Sequence, residues 1–438
     1  MQSGHKEEEI AVSTSTPSPA NEPANAPRFL LFGLFRETPV GDAAAPPPDG
    51  GLQAWTQVLM AHLVLFCTWG FINSFGFFQA YYEQTMHVSH SQVSWVVSIQ
   101  VFLLSFIGSF SGRLMDAGYY RYCLIGGFTF QTLGIFMVSL CQRYWQVFLA
   151  QGICCGIGDG LLFCPTNALV ATYFVKRRSL ALGIVLAGSS TGGLIFPLMV
   201  QQLLPKIGFA WTVRCVGFVV LFCFAVCLSL ARVRLPKRQG GPLVELHAFH
   251  ETPYSLFVVG IFLSLWAVYF SYFYIDTFAL NVIGTSETES LSMLYIINGV
   301  GIPGRIIPAL FADRFFGILN TYVVLGLLAG VLLYCWMAVH TYGGMIAFVV
   351  CYGLIGGGVQ GTALSSLPTL TTDLSKMGVR SGMVLSIVAF ACLTGPPLAG
   401  ALIERGGGSY TYACAWGGTS LILGSGFVIA ARLSMGRS

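Results

Sequence analysis

One arginine stands inside an otherwise apolar stretch of the chain, INGVGIPGRIIPALF at 297–311. Asn298 precedes Arg305 by seven residues, or two helical turns, so a helix would carry both side chains on one face. A guanidinium presents a fork of N–H donors that matches a carboxylate. The pair therefore predicts an anchor for an anionic substrate. The alternative is a structural arginine bonded to backbone carbonyls or to a carboxylate.

A lone carboxyl group, Asp159, lies in a second apolar stretch, GICCGIGDGLLF at 152–163. No cation neighbours it in sequence, and burial favours the neutral form of an isolated carboxyl group. Such a group suits a proton carrier that also contacts the substrate. Two alternatives stay open: Asp159 pairs with Arg305 across a cleft, or it caps a kink in a glycine-rich helix.

A tyrosine-rich segment, YFSYFYIDTFAL at 269–280, carries a third set of candidate residues. Tyr269, Tyr272 and Asp276 are spaced three and four residues apart, so they can share one helix face. The face predicts an aromatic wall for a planar or amphipathic substrate. The alternative is an aromatic belt with an acid at the membrane interface.

Isolated amides and hydroxyls are the remaining polar groups of the apolar segments, and each needs a hydrogen-bond partner there. Hydrogen bonds between helices are the ordinary role of such groups. We assign Asn73 and Gln360 to the substrate site. The other members of the set are Gln100, Gln151, Asn167 and Thr394.

The composition shows why these groups stand out: of 438 residues, 55% are hydrophobic and 9% are charged. A soluble domain carries about 25% charged residues, so this chain lacks the charge to cover a water-facing surface. The sequence therefore predicts an all-α integral membrane protein. No C-x-x-C pair, Walker motif or catalytic cluster is present, so we expect no metal, no cofactor and no enzymatic activity. The net charge of +4 does not imply a nucleic-acid partner.

Twelve segments are apolar enough to cross a bilayer, for which about 20 residues are needed. They are 54–80, 92–112, 122–140, 145–173, 179–204, 209–231, 254–280, 289–311, 319–339, 343–370, 379–402 and 410–431. The longest connection divides them six and six. The predicted organisation is a disordered cytosolic tail (1–50), a six-helix bundle (51–231), a cytosolic linker (232–252), a second six-helix bundle (253–432) and a cytosolic tail (433–438).

The Lys and Arg residues set the orientation, because cytosolic loops are enriched in them. With the N-terminus in the cytosol, the cytosolic connections and the C-terminal tail hold fourteen of these residues, and the opposite connections hold four. Both termini are therefore predicted to be cytosolic. We expect a multi-pass protein of the plasma membrane, with the vacuolar or another internal membrane as the alternative.

The two halves of the chain repeat each other at an offset of about 200 residues. GIVLAGSSTGGLIFP at 183–197 matches GMVLSIVAFACLTGP at 382–396, and Asp116 matches Asp313. Duplicated six-helix halves around a central pathway are a transporter architecture. In that architecture the substrate binds between the halves near the membrane midplane.

Four stretches carry a family resemblance: DGGLQAW (49–55), GRLMDAGYYR (112–121), YFVKRRSLALGIVLAGSSTGGLIFP (173–197) and GRIIPALFADRFFG (304–317). They resemble motifs of the major facilitator superfamily, and specifically of its fungal monocarboxylate porter-like branch. The third motif is the most specific, and the resemblance covers about residues 49–432. It implies a secondary transporter of twelve helices, arranged as two pseudo-repeated six-helix bundles, that works by alternating access.

The resemblance also implies a role for charges at the cytosolic helix ends. In the family, such charges latch the two halves together and bias the equilibrium between inward-facing and outward-facing states. Simple positive-inside topology is the alternative explanation. The matching positions are Gly112, Asp116, Arg121, Arg177, Arg178, Asp313 and Arg314.

Two positions depart from the animal monocarboxylate carriers of the family. Asn73 stands where those carriers have a lysine implicated in proton and substrate handling. Gly301 stands where they have an aspartate, four residues before the arginine that Arg305 matches. These departures shift the expected chemistry from lactate-type proton symport towards export of another carboxylate.

We therefore expect a monomeric transporter that exports a small organic acid or an acidic secondary metabolite, and whose coupling to protons stays open. Its partners are an anionic small molecule and the lipid bilayer. The alternatives are uptake of a monocarboxylate or a vitamin, and a nutrient sensor on the same fold that does not transport.

Overall fold

Helices make up nearly all of the structure, a computed structural model that describes residues 47–88, 90–234, 245–370 and 377–435. A chain in lipid must satisfy every backbone N–H and C=O internally, and a helix does so within one segment. No strand occurs in the ranges just given. The prediction of an all-α membrane protein is confirmed.

Eleven continuous helical segments of the described chain are long and apolar enough to cross a membrane. The longest, Arg178–Leu230, has 53 residues and consists of two helices. Gly208 separates them, because it adopts φ 73° and ψ 170°, a conformation that glycine tolerates since it has no Cβ. The described chain therefore has twelve candidate membrane helices. The break lies at the predicted boundary between the spans 179–204 and 209–231.

The twelve helices are numbered in chain order. They are α1 (Gly51–Asn73, continued as Phe75–Met86), α2 (His90–Asp116), α3 (Tyr120–Val138), α4 (Tyr144–Ala171), α5 (178–207), α6 (209–230), α7 (Thr252–Ile283), α8 (Glu287–Phe316), α9 (Ile318–Trp336), α10 (Tyr342–Ala363), α11 (Met377–Arg405) and α12 (Thr411–Met435). Odd-numbered helices begin at one end of the bundle, here called the proximal end. Even-numbered helices begin at the other, distal end.

The predicted tails and linker fall partly outside the described residues, which omit 1–46, 235–244 and 436–438. Their disorder and their cytosolic location stay predictions. The division of the helices into bundles at 51–231 and 253–432 also stays a prediction.

Helix α5 approaches α1 and α8 closely because glycines line its surface. A Cβ placed on Gly70 of α1 would lie 2.5 Å from the Cα of Gly192, and a Cβ on Gly193 would lie 2.6 Å from Oδ1 of Asn298 on α8. Side chains at these positions would force the helices apart. The glycines of AGSSTGG at 187–193 therefore permit close approach of α5 to both α8 and α1.

Helices from the two predicted halves also meet near the proximal end, where α2 packs against α11. The Ser386 hydroxyl donates to the Ser109 hydroxyl at 3.0 Å. The rings of Phe102 and Phe390 form an edge-on contact with centroids 5.4 Å apart. The proximal end is therefore closed along this pair of helices.

An anchored turn leads into α1. Oδ1 of Asp49 accepts hydrogen bonds from the backbone N–H groups of Val175 at 2.6 Å and Lys176 at 2.8 Å. Desolvation acts to raise the pKa of Asp49, but these backbone donors outweigh it and hold the pKa below its usual value. The charged carboxylate thus ties the start of α1 to the connection between α4 and α5.

A buried ion pair joins the start of α11 to the start of α7. Arg380 is 2% exposed. Its guanidinium donates to both carboxylate oxygens of Glu251 and, at 3.2 Å, to Oε2 of Glu245. The ring of Tyr254 lies under the guanidinium, 5.5 Å from Cζ. Two carboxylates and one ring thus give this cation partners within the protein, as expected for a structural role.

Candidate functional site

Arg305 lies on the face of α8 that packs against α5, and it is 1% exposed. One guanidinium nitrogen donates to the Ser190 hydroxyl of α5 and, at 3.2 Å, to the Gly301 carbonyl. The other terminal nitrogen donates to Oε1 of Gln360 on α10 at 2.8 Å. The side chain therefore links three helices. Because α5 and α8 belong to different predicted halves, one of these hydrogen bonds crosses between them.

The guanidinium of Arg305 has no carboxylate partner within the described part of the chain, whereas the Arg380 guanidinium has two. One partner of Arg305 is a backbone carbonyl, as the structural alternative requires, but none is a carboxylate. Burying a charge without an opposite charge is costly, and more so within a membrane. The site can therefore accept an anionic group from outside the chain.

Polar atoms without partners surround this interface. Among the described residues, Oδ1 of Asn298, the Tyr272 hydroxyl and Nε2 of Gln360 are buried and make no hydrogen bond. Buried polar atoms are nearly always hydrogen-bonded in native proteins. Such a concentration of unsatisfied atoms marks a place where a bound molecule or water can supply the missing partners.

Two amides approach each other around Gly193 of α5. A Cβ on this glycine would lie 2.9 Å from Cβ of Asn73 and 2.6 Å from Oδ1 of Asn298. The Asn73 amide donates to the Ser189 carbonyl at 3.3 Å, and the Asn298 amide donates within α8. Asn298 and Arg305 both face α5, which is the shared face that their seven-residue spacing predicts.

Gly301 leaves the space into which the guanidinium folds. A Cβ at this position would lie 2.7 Å from the Ser190 hydroxyl and 2.8 Å from a terminal nitrogen of Arg305. Either contact is shorter than real Cβ atoms allow. A side chain at position 301 would therefore require Ser190 and the Arg305 guanidinium to shift from the positions they have here.

The predicted aromatic face of α7 turns towards Arg305 and α1. The ring of Tyr269 stacks on the ring of Trp69 with centroids 5.5 Å apart and an interplanar angle of 13°. Tyr269 and Tyr272 both lie in the neighbourhood of the Arg305 guanidinium. Sequence reasoning missed Trp69, because its partner lies 200 residues away and no local spacing marks it.

Asp276 lies further towards the distal end, at a cavity of about 610 Å³ between α1, α7, α8 and α11. Oδ1 of Asp276 accepts from the backbone N–H of Thr277 at 2.7 Å. A Cβ on Gly76 of α1 would lie 3.1 Å from its Oδ2. The cavity is rich in acidic residues, and its carboxylates belong to Glu83, Asp276, Glu287 and Glu404.

Asp159 lies elsewhere, within the first six helices. Its Oδ2 accepts from the Gln100 amide of α2 at 2.8 Å, and its Oδ1 has no partner among the described residues. It is fully buried and does not pair with Arg305. Of the alternatives left open by the sequence, the pairing across the cleft is therefore wrong. A neutral carboxyl group remains compatible with these surroundings.

One predicted gating residue bridges the two halves at the proximal end. Oδ2 of Asp313, near the end of α8, accepts from the backbone N–H of Leu180 in the first turn of α5 at 3.0 Å. A carboxylate at a helix N-terminus satisfies free N–H groups and complements the helix dipole. This contact can hold α5 and α8 together at that end.

The other predicted gating residues lie close to the same end of the bundle. Arg177 and Arg178 lie at the start of α5, and the Arg314 guanidinium lies 5.5 Å from the centre of the Phe315 ring. Asp116 and Arg121 engage neighbouring groups. A Cβ on Gly112 would lie 3.0 Å from Sγ of Cys164, so this glycine permits close packing of α2 on α4.

The remaining predicted polar groups act mainly as helix connectors. Gln151 accepts from the Tyr82 hydroxyl at 2.8 Å, and Thr394 accepts from the Trp266 indole at 3.0 Å. Asn167 donates to the Phe163 carbonyl of its own helix. In the described ranges, no group of three or more His, Cys, Asp or Glu residues could hold a metal ion.

Comparison with known proteins identifies the architecture. Residues 60–396 match the family model of the Major Facilitator Superfamily. An MFS-type transporter of Gibberella zeae is 42% identical over 95% of both chains. The aspyridones efflux protein apdF of Emericella nidulans is 34% identical over 84% of this chain and 76% of its own.

A solved structure shares the fold. The crystal structure of the human organic anion transporter MFSD10 (TETRAN) aligns with a TM-score of 0.69, covering 86% of this chain and 99% of that chain. At 14% sequence identity, the likeness concerns the fold alone. The sequence matches and the arrangement of helices agree, and the chain belongs to the Major Facilitator Superfamily.

Proposed function

We propose that this protein exports a small organic anion by alternating access, and that Arg305 binds the acidic group of the substrate. The observation that carries the proposal is a fully buried guanidinium, between helices of the two predicted halves, that has no carboxylate partner among the described residues. An anionic substrate would supply that counter-ion and would relieve the cost of burying the charge. Asn298, Gln360 and Tyr272 would satisfy their free polar atoms on the same ligand.

Export of an acidic secondary metabolite is the direction favoured by the relatives, one of which is named as an efflux protein for aspyridones. Membership of the monocarboxylate porter-like branch is part of the same proposal. Gly301 and Asn73 would then distinguish this chain from lactate carriers, because neither provides the charge found in those proteins at the matching position.

The described conformation suits the release step of such a cycle. The proximal end is closed by α2 against α11 and by Asp313 on α5, whereas the cavity of about 610 Å³ lies towards the distal end. If the proximal end is cytosolic, as the Lys and Arg distribution predicts, the cavity faces outwards. Asp276 and the other carboxylates of the cavity would bind an anion weakly, so a substrate that has reached the cavity would leave it readily for the solvent.

Asp159 is the proposed proton carrier. It is fully buried, lacks an ion-pair partner among the described groups and keeps one oxygen free. A carboxyl group in these surroundings can gain or lose a proton as the site opens to water. Protons moving inwards through Asp159 would drive the anion outwards.

The decisive experiment uses purified protein in liposomes with an imposed pH gradient and a panel of radiolabelled organic acids. We expect gradient-driven flux of at least one acid. Arg305→Gln should reduce this flux by about 100-fold or more, because it removes a buried charge interaction between the guanidinium and the anion that contributes about 2.8 kcal/mol or more. Arg305→Lys keeps the charge but loses the fork, and should retain a small part of the flux.

Two controls make the result interpretable. Arg432→Gln removes an exposed arginine of α12, outside both the anion site and the predicted gating residues, and should leave the flux intact. Folding of each variant is checked by its elution as a single species in detergent. Full activity of Arg305→Gln for every transported acid would rule out the proposed anchor.

A further inference from the structure

A pair of stacked rings joins the two predicted halves at mid-depth, and the anion site described above does not account for it. Trp69 of α1 and Tyr269 of α7 have ring centroids 5.5 Å apart and planes inclined by 13°. Each residue is 8% exposed. This geometry is an offset stack, in which two large flat faces cover each other.

The stack lies between the distal cavity and Arg305. Seven residues further along the two helices, Gly76 and Asp276 face each other and line the distal cavity. Seven residues of helix correspond to about 10 Å along the axis. Counted from the distal ends of α7 and α8, Asp276 comes first, Tyr269 next and Arg305 deepest. The two rings therefore lie at a depth between Arg305 and the cavity.

Each of the two rings also packs against a second ring from its own half of the chain. The Phe163 ring of α4 packs edge-on against Trp69 at 6.0 Å, and Phe273 lies against Tyr269 at 6.2 Å. Trp69 and Phe163 belong to the first six helices, whereas Tyr269 and Phe273 belong to the last six. Separation of the halves would then expose two opposed aromatic faces, one on each half.

We propose that Trp69 and Tyr269 form an aromatic gate whose rings part around the substrate, and that the substrate is a planar, conjugated organic anion. Its acidic group binds Arg305 while its flat body stacks between the two rings. Each face of the body would then lie about 3.5–4 Å from the ring it contacts. A saturated acid of the same size is too thick to use both faces. The inference rests on the proposed function for its anion site and adds the shape of the substrate.

The test compares two acids of the same charge and carbon skeleton, 1-naphthoate, which is flat, and decahydro-1-naphthoate, which is saturated and puckered. Uptake of each radiolabelled acid into proteoliposomes is measured for wild type, Trp69→Leu and Trp69→Phe. We expect wild type to favour 1-naphthoate by tenfold or more. Trp69→Leu should reduce that ratio to nearly one, and Trp69→Phe, which keeps a flat ring, should restore most of it.

Trp145→Leu serves as the matched control, because Trp145 is 56% exposed on the outside of the bundle and should leave the ratio unchanged. Equal transport of the two acids by wild type, or equal losses of both in Trp69→Leu, would overturn the aromatic gate. The anion site would still stand in either case if Arg305→Gln abolishes both fluxes. Transport of neither acid by wild type would overturn the inference of a flat aromatic substrate, whereas the anion exporter is tested separately by the panel of acids described above.

Discussion

Arg305 and Asp159 are two fully buried ionisable residues of opposite charge type, and they differ in which helices their hydrogen bonds join. Each is hydrogen-bonded to a glutamine of a neighbouring helix at 2.8 Å, Arg305 to Gln360 and Asp159 to Gln100. Arg305 also reaches across to α5, whereas the partner of Asp159 lies within the first six helices. Neither has an opposite charge beside it among the described residues.

The difference lies in what each group can do about its charge. A guanidinium does not lose its proton under ordinary conditions, so Arg305 needs an anion from elsewhere. A carboxyl group can become neutral by binding a proton, so Asp159 needs no ion at all. Arg380, with its two glutamates, shows how the same chain treats a buried cation that is purely structural. This difference supports the proposed roles, in which Arg305 binds the substrate anion and Asp159 carries the proton.

The largest effect is expected when Arg305 receives an internal counter-ion. Gly301→Asp would place a carboxylate against the guanidinium, because a Cβ at this position would lie 2.8 Å from a terminal nitrogen of Arg305. Gly301→Asn adds nearly the same bulk without charge. We expect anion flux in liposomes to fall by about tenfold in the asparagine variant and about 100-fold in the aspartate variant, the extra tenfold being about 1.4 kcal/mol of lost charge interaction. Equal losses would mean that bulk alone matters at this position.

A second prediction concerns Asp159. Asp159→Asn keeps the hydrogen bond to Gln100 but cannot titrate. We expect accumulation driven by a pH gradient to fall by about tenfold, while exchange at equal pH on both sides continues. Asp49→Asn is the matched control, because the Asp49 carboxylate is outside the membrane-spanning helices and is held charged by backbone N–H groups. Unchanged pH dependence in Asp159→Asn would refute the proton role.

The smallest effect is expected at Asp313, whose proposed role is to hold α5 and α8 together and not to bind the substrate or a proton. Asp313→Ala removes the acceptor for the Leu180 N–H and should weaken proximal closure by about 1 kcal/mol, or about fivefold in the inward-to-outward ratio. Turnover should change severalfold, while the affinity for a transported acid measured at equilibrium changes little. Loss of substrate binding in this variant would show that the gating assignment is wrong.

The spacing of residues along the sequence predicted which side chains share one face of a helix. Asn298 and Arg305 do face α5 together, and the helix boundary near Gly208 follows from a run of apolar residues that ends beside proline and glycine. Membrane helices are strongly predicted because lipid leaves the backbone few other choices.

Contacts between distant segments could not be predicted in this way. Trp69 and Tyr269 stack although they are 200 residues apart in the sequence. The sequence left open whether Asp159 pairs with Arg305, and only the packing of the helices shows that its hydrogen-bond partner is Gln100. The free space at Gly301 has no sequence signal beyond the absence of a side chain. These features depend on how helices pack, which the period of one helix does not determine.

The glycine contact between α1 and α5 has a mechanical consequence. Gly70 and Gly192 bring the two backbones together so closely that neither helix can slide without the other. Gly70 adjoins the gate tryptophan, and Gly192 lies half a turn from Ser190, which holds Arg305. We expect the two helices to move together as one rigid unit. A movement that separates Trp69 from Tyr269 would then also break the hydrogen bond between Ser190 and the Arg305 guanidinium. Opening of the exit and rearrangement of the anion site would therefore occur in the same step.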